Sequence, residues 1–167
     1  MKALILLLIP IFSFCQSPVN SNGKIEYTEV VSVDSAKAAD LFSRSKLYIT
    51  NAFKSGKDVT QLVDDETKTI VGKGVLKIYI NAGLGIMWDV YVHFKTTIQC
   101  RDGRYKYSLT EFEAELIGGS TDALEEEKPK SYTKKMWASL KEQTNSTINE
   151  MIIDLKKQMS STKNDAW

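Results

Sequence analysis

The sequence predicts an α+β fold: an antiparallel sheet of about five strands, one helix after the first strand, and a long C-terminal helix. Several segments alternate apolar and polar residues between turn-forming dipeptides, as antiparallel strands do. Two other segments repeat apolar residues every three or four positions, which is typical of amphipathic helices. The predicted order is strand, helix, four strands and a final helix.

The N-terminal 15 residues predict export. Lys2 is followed by a run from Ala3 to Phe14 that is apolar except for Ser13, and this run is too short to anchor a helix across a bilayer. This is the layout of a secretory signal peptide, so we expect a periplasmic or secreted protein. In the alternative, Cys15 is a lipidated cysteine that anchors the chain to a membrane, although Phe14 occupies the place where such signals have a small residue.

The rest of the chain predicts a single domain. Residues 16–22 read as a flexible lead, 23–160 as one α+β domain and 161–167 as a polar tail. The chain has 22 basic and 21 acidic residues, so it has no overall charge with which to attract nucleic acid. Without the signal peptide, Cys100 is the one remaining cysteine, which excludes an internal disulfide.

The first elements follow from alternation and capping signals. A strand begins at Ile25, and a helix is expected from Ala36 to Phe53 with Asp34 and Ser35 as capping residues. A short strand is expected within residues 59–65. The predicted apolar stripe of the helix comprises Ala39, Phe42, Leu47, Ile49 and Phe53.

The next strand contains a Gly-Lys-Gly sequence that invites comparison with a phosphate-binding loop. Such a loop requires Ser or Thr after its lysine and a helix beyond, whereas Lys73 is followed by Gly74 and the alternation continues to Ile80. Glycines at alternate positions expose one face of a strand to close approach. We expect a helix to cover Gly72 and Gly74, with a ligand as the alternative.

The best-defined local prediction is a hairpin around Asp102-Gly103, a dipeptide typical of two-residue turns. This turn pairs Cys100 with Tyr105, and the apolar faces match. After Thr110 the apolar residues shift from odd to even positions, which predicts a bulge with Glu111 on the solvent side. The alternative is a buried Glu111 with a raised pKa beside Tyr107, the one enzymatic hypothesis that the sequence offers.

A loop is expected from residue 117 to 130 and a long helix from Tyr132 to Ser160. The apolar face of this helix comprises Trp137, Leu140, Thr144, Ile148, Met151, Ile152, Leu155 and Met159.

No catalytic or metal-binding constellation is predicted, and no cofactor. His93 is the one histidine, and by strand parity it lies on the face opposite Cys100, which excludes a Cys-His pair. One histidine and one cysteine are too few for a zinc site.

The segment from Asn81 to Tyr91 is unusually apolar for a connection between strands. Leu84, Ile86, Met87 and Trp88 stand where a hairpin tip is usually polar. These side chains either fold back over the edge of the core or form a contact surface for a partner, a lipid or an apolar ligand.

Four stretches resemble a family of exported bacterial proteins known as domain of unknown function 4468, which has a TBP-like fold. They are GKIEYTEVV (23–31), YITNAF (48–53), DDETKTIVGKG (64–74) and CRDGRYKYSLTEF (100–112). The resemblance implies a curved antiparallel sheet with helices on one side. It implies no reaction, and it carries over no catalytic residue.

These observations predict a non-enzymatic binding or interaction module of the cell envelope, which contacts an envelope protein or an apolar ligand through a modest apolar cavity or through residues 84–88. The alternative is a carrier of a lipid or small apolar ligand, with a pocket between the sheet and the C-terminal helix. The residues expected to line that pocket are Gly72, Gly74, Tyr105 and Tyr107.

Overall fold

The computed structural model describes residues 18–53, 60–116, 119 and 121–161. Within these ranges the elements are β1 (Tyr27–Ser32), α1 (Ala38–Ala52), β2 (Thr60–Asp64), β3 (Thr69–Gly83), β4 (Ile86–Arg101), β5 (Arg104–Leu116), β6 (Thr121–Ala123) and α2 (Lys134–Ser160). This order confirms the predicted α+β fold. No helix in the described ranges is both long and apolar enough to cross a membrane.

The strands form one antiparallel sheet in the order β1-β5-β4-β3-β2. β6 is an addition to the predicted strands, because residues 121–123 pair with residues 113–115 of β5 in a segment expected to be loop. This strand has three residues and no alternating apolar pattern, so the sequence carries no signal for it.

The β4–β5 hairpin has the predicted register. Gly103 in its turn has φ +72°, a conformation that glycine adopts without a steric penalty. The pairs across the hairpin include Cys100–Tyr105, Ile98–Tyr107 and Thr96–Leu109.

The predicted bulge in β5 is also confirmed. The register shifts by one residue between the pairs His93–Glu113 and Lys95–Thr110. Glu111 has φ +57°, and its carboxylate accepts a hydrogen bond from Lys95 Nζ at 3.0 Å on the exposed side of the sheet. The alternative of a buried catalytic Glu111 is therefore wrong.

Both helices cover the apolar face of the sheet. Tyr27 of β1 donates a buried hydrogen bond of 2.6 Å to Asn145 Oδ1 of α2. α1 contacts β3, β4 and β5, and it also packs against α2, where Arg44 donates to the Met159 carbonyl at 2.7 Å. The opposite face of the sheet carries the charged residues.

The start of α1 differs from the prediction. Neither Asp34 nor Ser35 caps the helix. The N-cap is Lys37, whose side chain forms no capping bond, and the Ala38 N–H donates instead to Asp102 Oδ1 at 2.8 Å. The cap thus comes from the β4–β5 turn.

The buried stripe of α1 also differs in phase from the predicted one. Leu47 is 55 % exposed, and Ala39 is exposed as well. The buried residues of the helix are Leu41, Phe42, Ser45, Tyr48 and Ile49.

The Gly-Lys-Gly segment is straight strand, as predicted. Gly72 and Gly74 are buried while Lys73 between them is exposed. A Cβ on Gly74 would lie 2.3 Å from Phe94 Cζ and 2.6 Å from Phe53 Cε1. The glycines therefore admit the aromatic rings that pack the end of α1 onto the sheet.

The N-terminal lead is more ordered than predicted where the structure describes it. Val19 forms an isolated antiparallel bridge with Ile25. The Glu26 N–H donates to the Pro18 carbonyl at 3.0 Å, and the side chains of Asn20 and Glu26 are hydrogen-bonded at 2.9 Å. The predicted signal peptide and residues 162–167 of the tail lie outside the described residues.

Candidate functional site

The apolar segment between β3 and β4 forms the tip of a long hairpin. Asn81 pairs with Met87 and Gly83 with Ile86. Residues 83–85 have φ values of +103°, +51° and +78°. Leu84 thus occupies the left-handed region that non-glycine residues seldom adopt and that tight hairpin turns require.

Three apolar side chains at this tip are exposed to solvent. Leu84 is 102 % exposed, Ile86 55 % and Met87 53 %. The ten residues from Tyr79 to Trp88 include no charged side chain. We call Leu84, Ile86 and Met87 the hairpin tip. Scattered exposed apolar residues are ordinary, but a contiguous group usually marks an interaction surface.

Trp88 differs from its neighbours, which corrects the prediction that it shares their exposure. It pairs with the buried Ile80, is partly buried and packs against the core. The two accounts of this segment therefore each describe part of it: Trp88 folds back over the core, and the hairpin tip does not.

The base of the hairpin is fixed below the tip. Gln143 of α2 donates from Nε2 to the Tyr79 carbonyl at 3.3 Å. Across the strands, Lys77 Nζ lies 2.7 Å from Asp89 Oδ2 and 5.0 Å from the Tyr79 ring centroid. The hydrogen bond with Asp89 raises the pKa of Lys77. The tip is thus presented on a well-anchored ribbon.

The residues expected to line a ligand pocket have other roles. The Phe53 and Phe94 rings leave no room for a ligand above Gly74, and a Cβ on Gly72 would lie 3.4 Å from Ile49 Cγ2. Tyr105 is buried against the core, and its burial raises the pKa of its hydroxyl.

Tyr107 belongs to a polar link between the sheet and α2. Its hydroxyl donates to Glu29 Oε2 at 2.8 Å, and Lys156 Nζ lies 2.6 Å from the same oxygen. Lys156 and then Tyr107 lower the pKa of Glu29, whereas burial and the bond to Glu29 raise that of Tyr107. This link attaches α2 to the edge strand β1, and the sequence offers no signal for it.

A groove of about 630 Å³ lies elsewhere, between the C-terminal parts of α1 and α2 and the middle of β3. It is open to solvent on one side. The Tyr48 hydroxyl at its floor donates to the Met151 carbonyl at 3.0 Å, and burial raises the pKa of Tyr48 to about 12. Its apolar lining comprises Tyr48, Ala52, Phe53, Val75, Leu76 and Met151. Two helices about 100 residues apart build this groove, so local patterns could not predict it.

The candidates for metal or nucleophile chemistry remain apart, as predicted. His93 is on the exposed face, with Nε2 2.7 Å from Glu115 Oε2. Cys100 is on the buried face, where desolvation raises the pKa of its thiol to about 11. Across the described ranges, no three His, Cys, Asp or Glu side chains are placed to hold a metal ion.

The fold and part of the sequence match known proteins. The family model described as "Domain of unknown function (DUF4468) with TBP-like fold" matches residues 27–115, more than half of the chain. No curated protein matches the sequence.

Two crystal structures are similar in fold. One is a DUF4468 family protein from Bacteroides ovatus ATCC 8483, with 15 % identity, a TM-score of 0.72, and coverage of 91 % of this chain and 94 % of the other. The second is a TBP-like protein from Parabacteroides distasonis ATCC 8503, with 12 % identity, a TM-score of 0.70, and coverage of 89 % and 99 %. At these identities the likeness concerns the fold, and the family match decides membership: the chain belongs to the DUF4468 family of TBP-like domains.

Proposed function

We propose that this protein is a non-enzymatic interaction module of the cell envelope that inserts its hairpin tip into an apolar recess of a partner protein. The observation that carries this proposal is the complete exposure of Leu84 at a charge-free tip. Export, which residues 1–15 lead us to expect, supports the choice of an envelope protein as the partner.

A protein recess suits the tip better than a lipid surface. Membrane-binding surfaces combine apolar residues with cations that meet anionic headgroups. The lysine nearest the tip in β3, Lys77, is already paired with Asp89 at 2.7 Å. Three apolar side chains on a narrow ribbon instead fit a small pocket, where the burial of one leucine contributes about 1.5–3 kcal/mol.

A photo-crosslinking amino acid placed at position 84 in cells tests this proposal. The matched control is position 153, because Ile153 is an isolated apolar residue that is 65 % exposed on α2. We expect discrete cross-linked protein products from position 84 and none from position 153. Identical products from both positions would contradict the proposal.

A substitution then measures the contribution of the tip. Leu84→Asn keeps a residue type that tolerates positive φ and removes the apolar side chain. Because Leu84 is fully exposed, the free energy of unfolding should change by less than about 0.5 kcal/mol. Affinity for the captured partner should fall by roughly tenfold or more, corresponding to the lost leucine burial. Unchanged affinity would remove the tip from the interface.

The groove between α1 and α2 supports a second candidate function, the transport of a small apolar ligand. Its volume of about 630 Å³ lies within the usual range for ligand sites, and half of its lining residues are apolar or aromatic. Ala52→Trp fills the groove from an exposed position. Native mass spectrometry of protein purified from its own envelope should show a bound small molecule in the unsubstituted chain and none in the variant. A ligand-free unsubstituted chain would exclude this candidate.

A further inference from the structure

Three cationic side chains without partners lie together at the end of the sheet farthest from the hairpin tip. Arg101 ends β4 and Arg104 begins β5, directly opposite each other across the turn. Lys106 follows on the same face of β5. Within the described part of the chain, none of the three side chains forms an ion pair or a hydrogen bond. Like charges placed opposite each other destabilise an antiparallel pair.

The rest of this sheet face is arranged differently. Elsewhere, three basic side chains that project from it are matched with carboxylates on a neighbouring strand, whereas Lys73, opposite Lys95, forms no ion pair with the described residues. The matched pairs are Lys77–Asp89 at 2.7 Å, Lys95–Glu111 at 3.0 Å and His93–Glu115 at 2.7 Å. The unmatched cluster therefore differs from the matched pairs in the middle of this face, in a chain whose formal net charge is +1.

The cluster borders a recess of about 560 Å³. Uncharged groups complete its wall. Gln99 pairs with Lys106 on one side and with Thr69 on the other, and Thr67 lies in the adjoining turn. The remaining lining residues are Val30, Cys100 and Tyr105. No Asp or Glu is among the described residues that line it.

Two carboxylates at the adjoining turns form hydrogen bonds elsewhere. Asp102, in the turn between the two arginines, accepts the Ala38 N–H at 2.8 Å. Asp64, opposite Thr69 on β2, accepts from the Thr67 hydroxyl at 2.7 Å and from two backbone N–H groups. Neither forms an ion pair with the cationic cluster.

We propose that this recess binds a phosphate group. Guanidinium groups match phosphate oxygens with paired N–H donors, and two arginines with one lysine suit a doubly charged oxyanion better than a single carboxylate. A phosphate group alone is much smaller than the recess, so its natural source is a phosphorylated small molecule or the headgroup of a lipid. The site is independent of the hairpin tip, because the two lie at opposite ends of β4.

The first experiment titrates the isotope-labelled full chain with inorganic phosphate at constant ionic strength and follows amide chemical shifts. We expect saturable shifts confined to residues 99–106 and the turn before β3, and much weaker binding of acetate. The double substitution Arg101→Gln, Arg104→Gln should lower phosphate affinity by roughly tenfold or more, since it removes both guanidinium partners. The matched control is Lys134→Gln, Lys135→Gln, which removes the same charge from the exposed first turn of α2 and should leave affinity unchanged.

The second experiment identifies the source of the phosphate. Co-sedimentation with phosphatidylglycerol vesicles that depends on both arginines assigns the site to a lipid headgroup, and phosphate binding without vesicle binding assigns it to a soluble ligand. The proposal is overturned if neither phosphate nor vesicles bind, if acetate binds as tightly as phosphate, or if the arginine variant binds like the control variant. The arginine variant should fold, because both side chains are exposed and unpartnered.

Discussion

Gly74→Ala tests the close packing on which the sheet–helix contact depends. An added Cβ would lie 2.3 Å from Phe94 Cζ and 2.6 Å from Phe53 Cε1, distances that require at least one ring to move. Phe94 is only 2 % exposed, and it stacks on Phe112 with 5.7 Å between ring centroids. Because the ring is enclosed by other rings, its displacement strains the core.

Two opposing effects set the change in the free energy of unfolding caused by Gly74→Ala. Adding a methyl group to a filled core costs about 1–3 kcal/mol. Replacing glycine with alanine at an accessible φ stabilises the fold by about 0.4–1 kcal/mol, because alanine restricts the unfolded chain. Gly72→Ala is a matched control in the same strand, because its nearest neighbour, Ile49, lies at an ordinary 3.4 Å. The second effect is common to both variants, so their free energies of unfolding should differ by about 1–3 kcal/mol.

Urea denaturation followed by circular dichroism measures both variants. We expect Gly74→Ala to be less stable than the unsubstituted protein and Gly72→Ala to be equal or slightly more stable. Phe94→Leu introduced into the Gly74→Ala background should recover part of the loss, since it removes the ring atom in closest contact. Equal stability of the two glycine variants would refute the packing argument.

Four further predictions concern polar groups, all measured by urea denaturation. Tyr27→Phe should lower the free energy of unfolding by about 1 kcal/mol, because it removes a buried hydrogen bond of 2.6 Å to α2. Tyr105→Phe should leave it unchanged or raise it, because that buried hydroxyl has no partner among the described residues. Asp102→Ala should cost about 1 kcal/mol through the lost cap of α1, and Asp102→Asn much less. Hydrogen bonds from Lys156 and the Tyr107 hydroxyl lower the pKa of Glu29 from 4.5. The ionised Glu29 therefore stabilises the fold at pH values above 4.5, and this stabilisation is lost as the pH falls through the folded-state pKa. Lys156→Gln should therefore flatten the acid side of the stability profile, and an unchanged profile would contradict this link.

The strands were predictable because their signals are local. The dipeptide Asp102-Gly103 predicts the turn, and the turn determines which residues of the two strands pair. With that pairing, the shift of the apolar positions at Glu111 indicates a bulge. Each step follows from residues a few positions apart. The same reasoning identified Gly72 and Gly74 as positions that admit a close neighbour, although it could not name Phe53 and Phe94 as that neighbour.

The missed features depend on residues distant in sequence. Asp102 caps a helix that starts 64 positions earlier, so the local capping signal at Asp34 and Ser35 pointed to the wrong residues. The groove over Tyr48 exists because α2 passes beside α1, which no local periodicity encodes. The cationic recess likewise requires the turn before β3 to meet the β4–β5 hairpin.

Among the non-glycine residues with positive φ, the one in the hairpin tip is the one whose strained backbone the fold does not explain. Ser35, Lys68, Leu84 and Glu111 all have positive φ without being glycine. At Glu111 the bulge accounts for the strain, because it restores the buried phase of β5, and Ser35 and Lys68 are polar residues within turns. Leu84 adopts the same region while its apolar side chain points wholly into water. Glycine or asparagine would serve this turn at lower conformational cost and without exposed apolar area, so folding does not explain a leucine here. The proposed contact with a partner protein accounts for it.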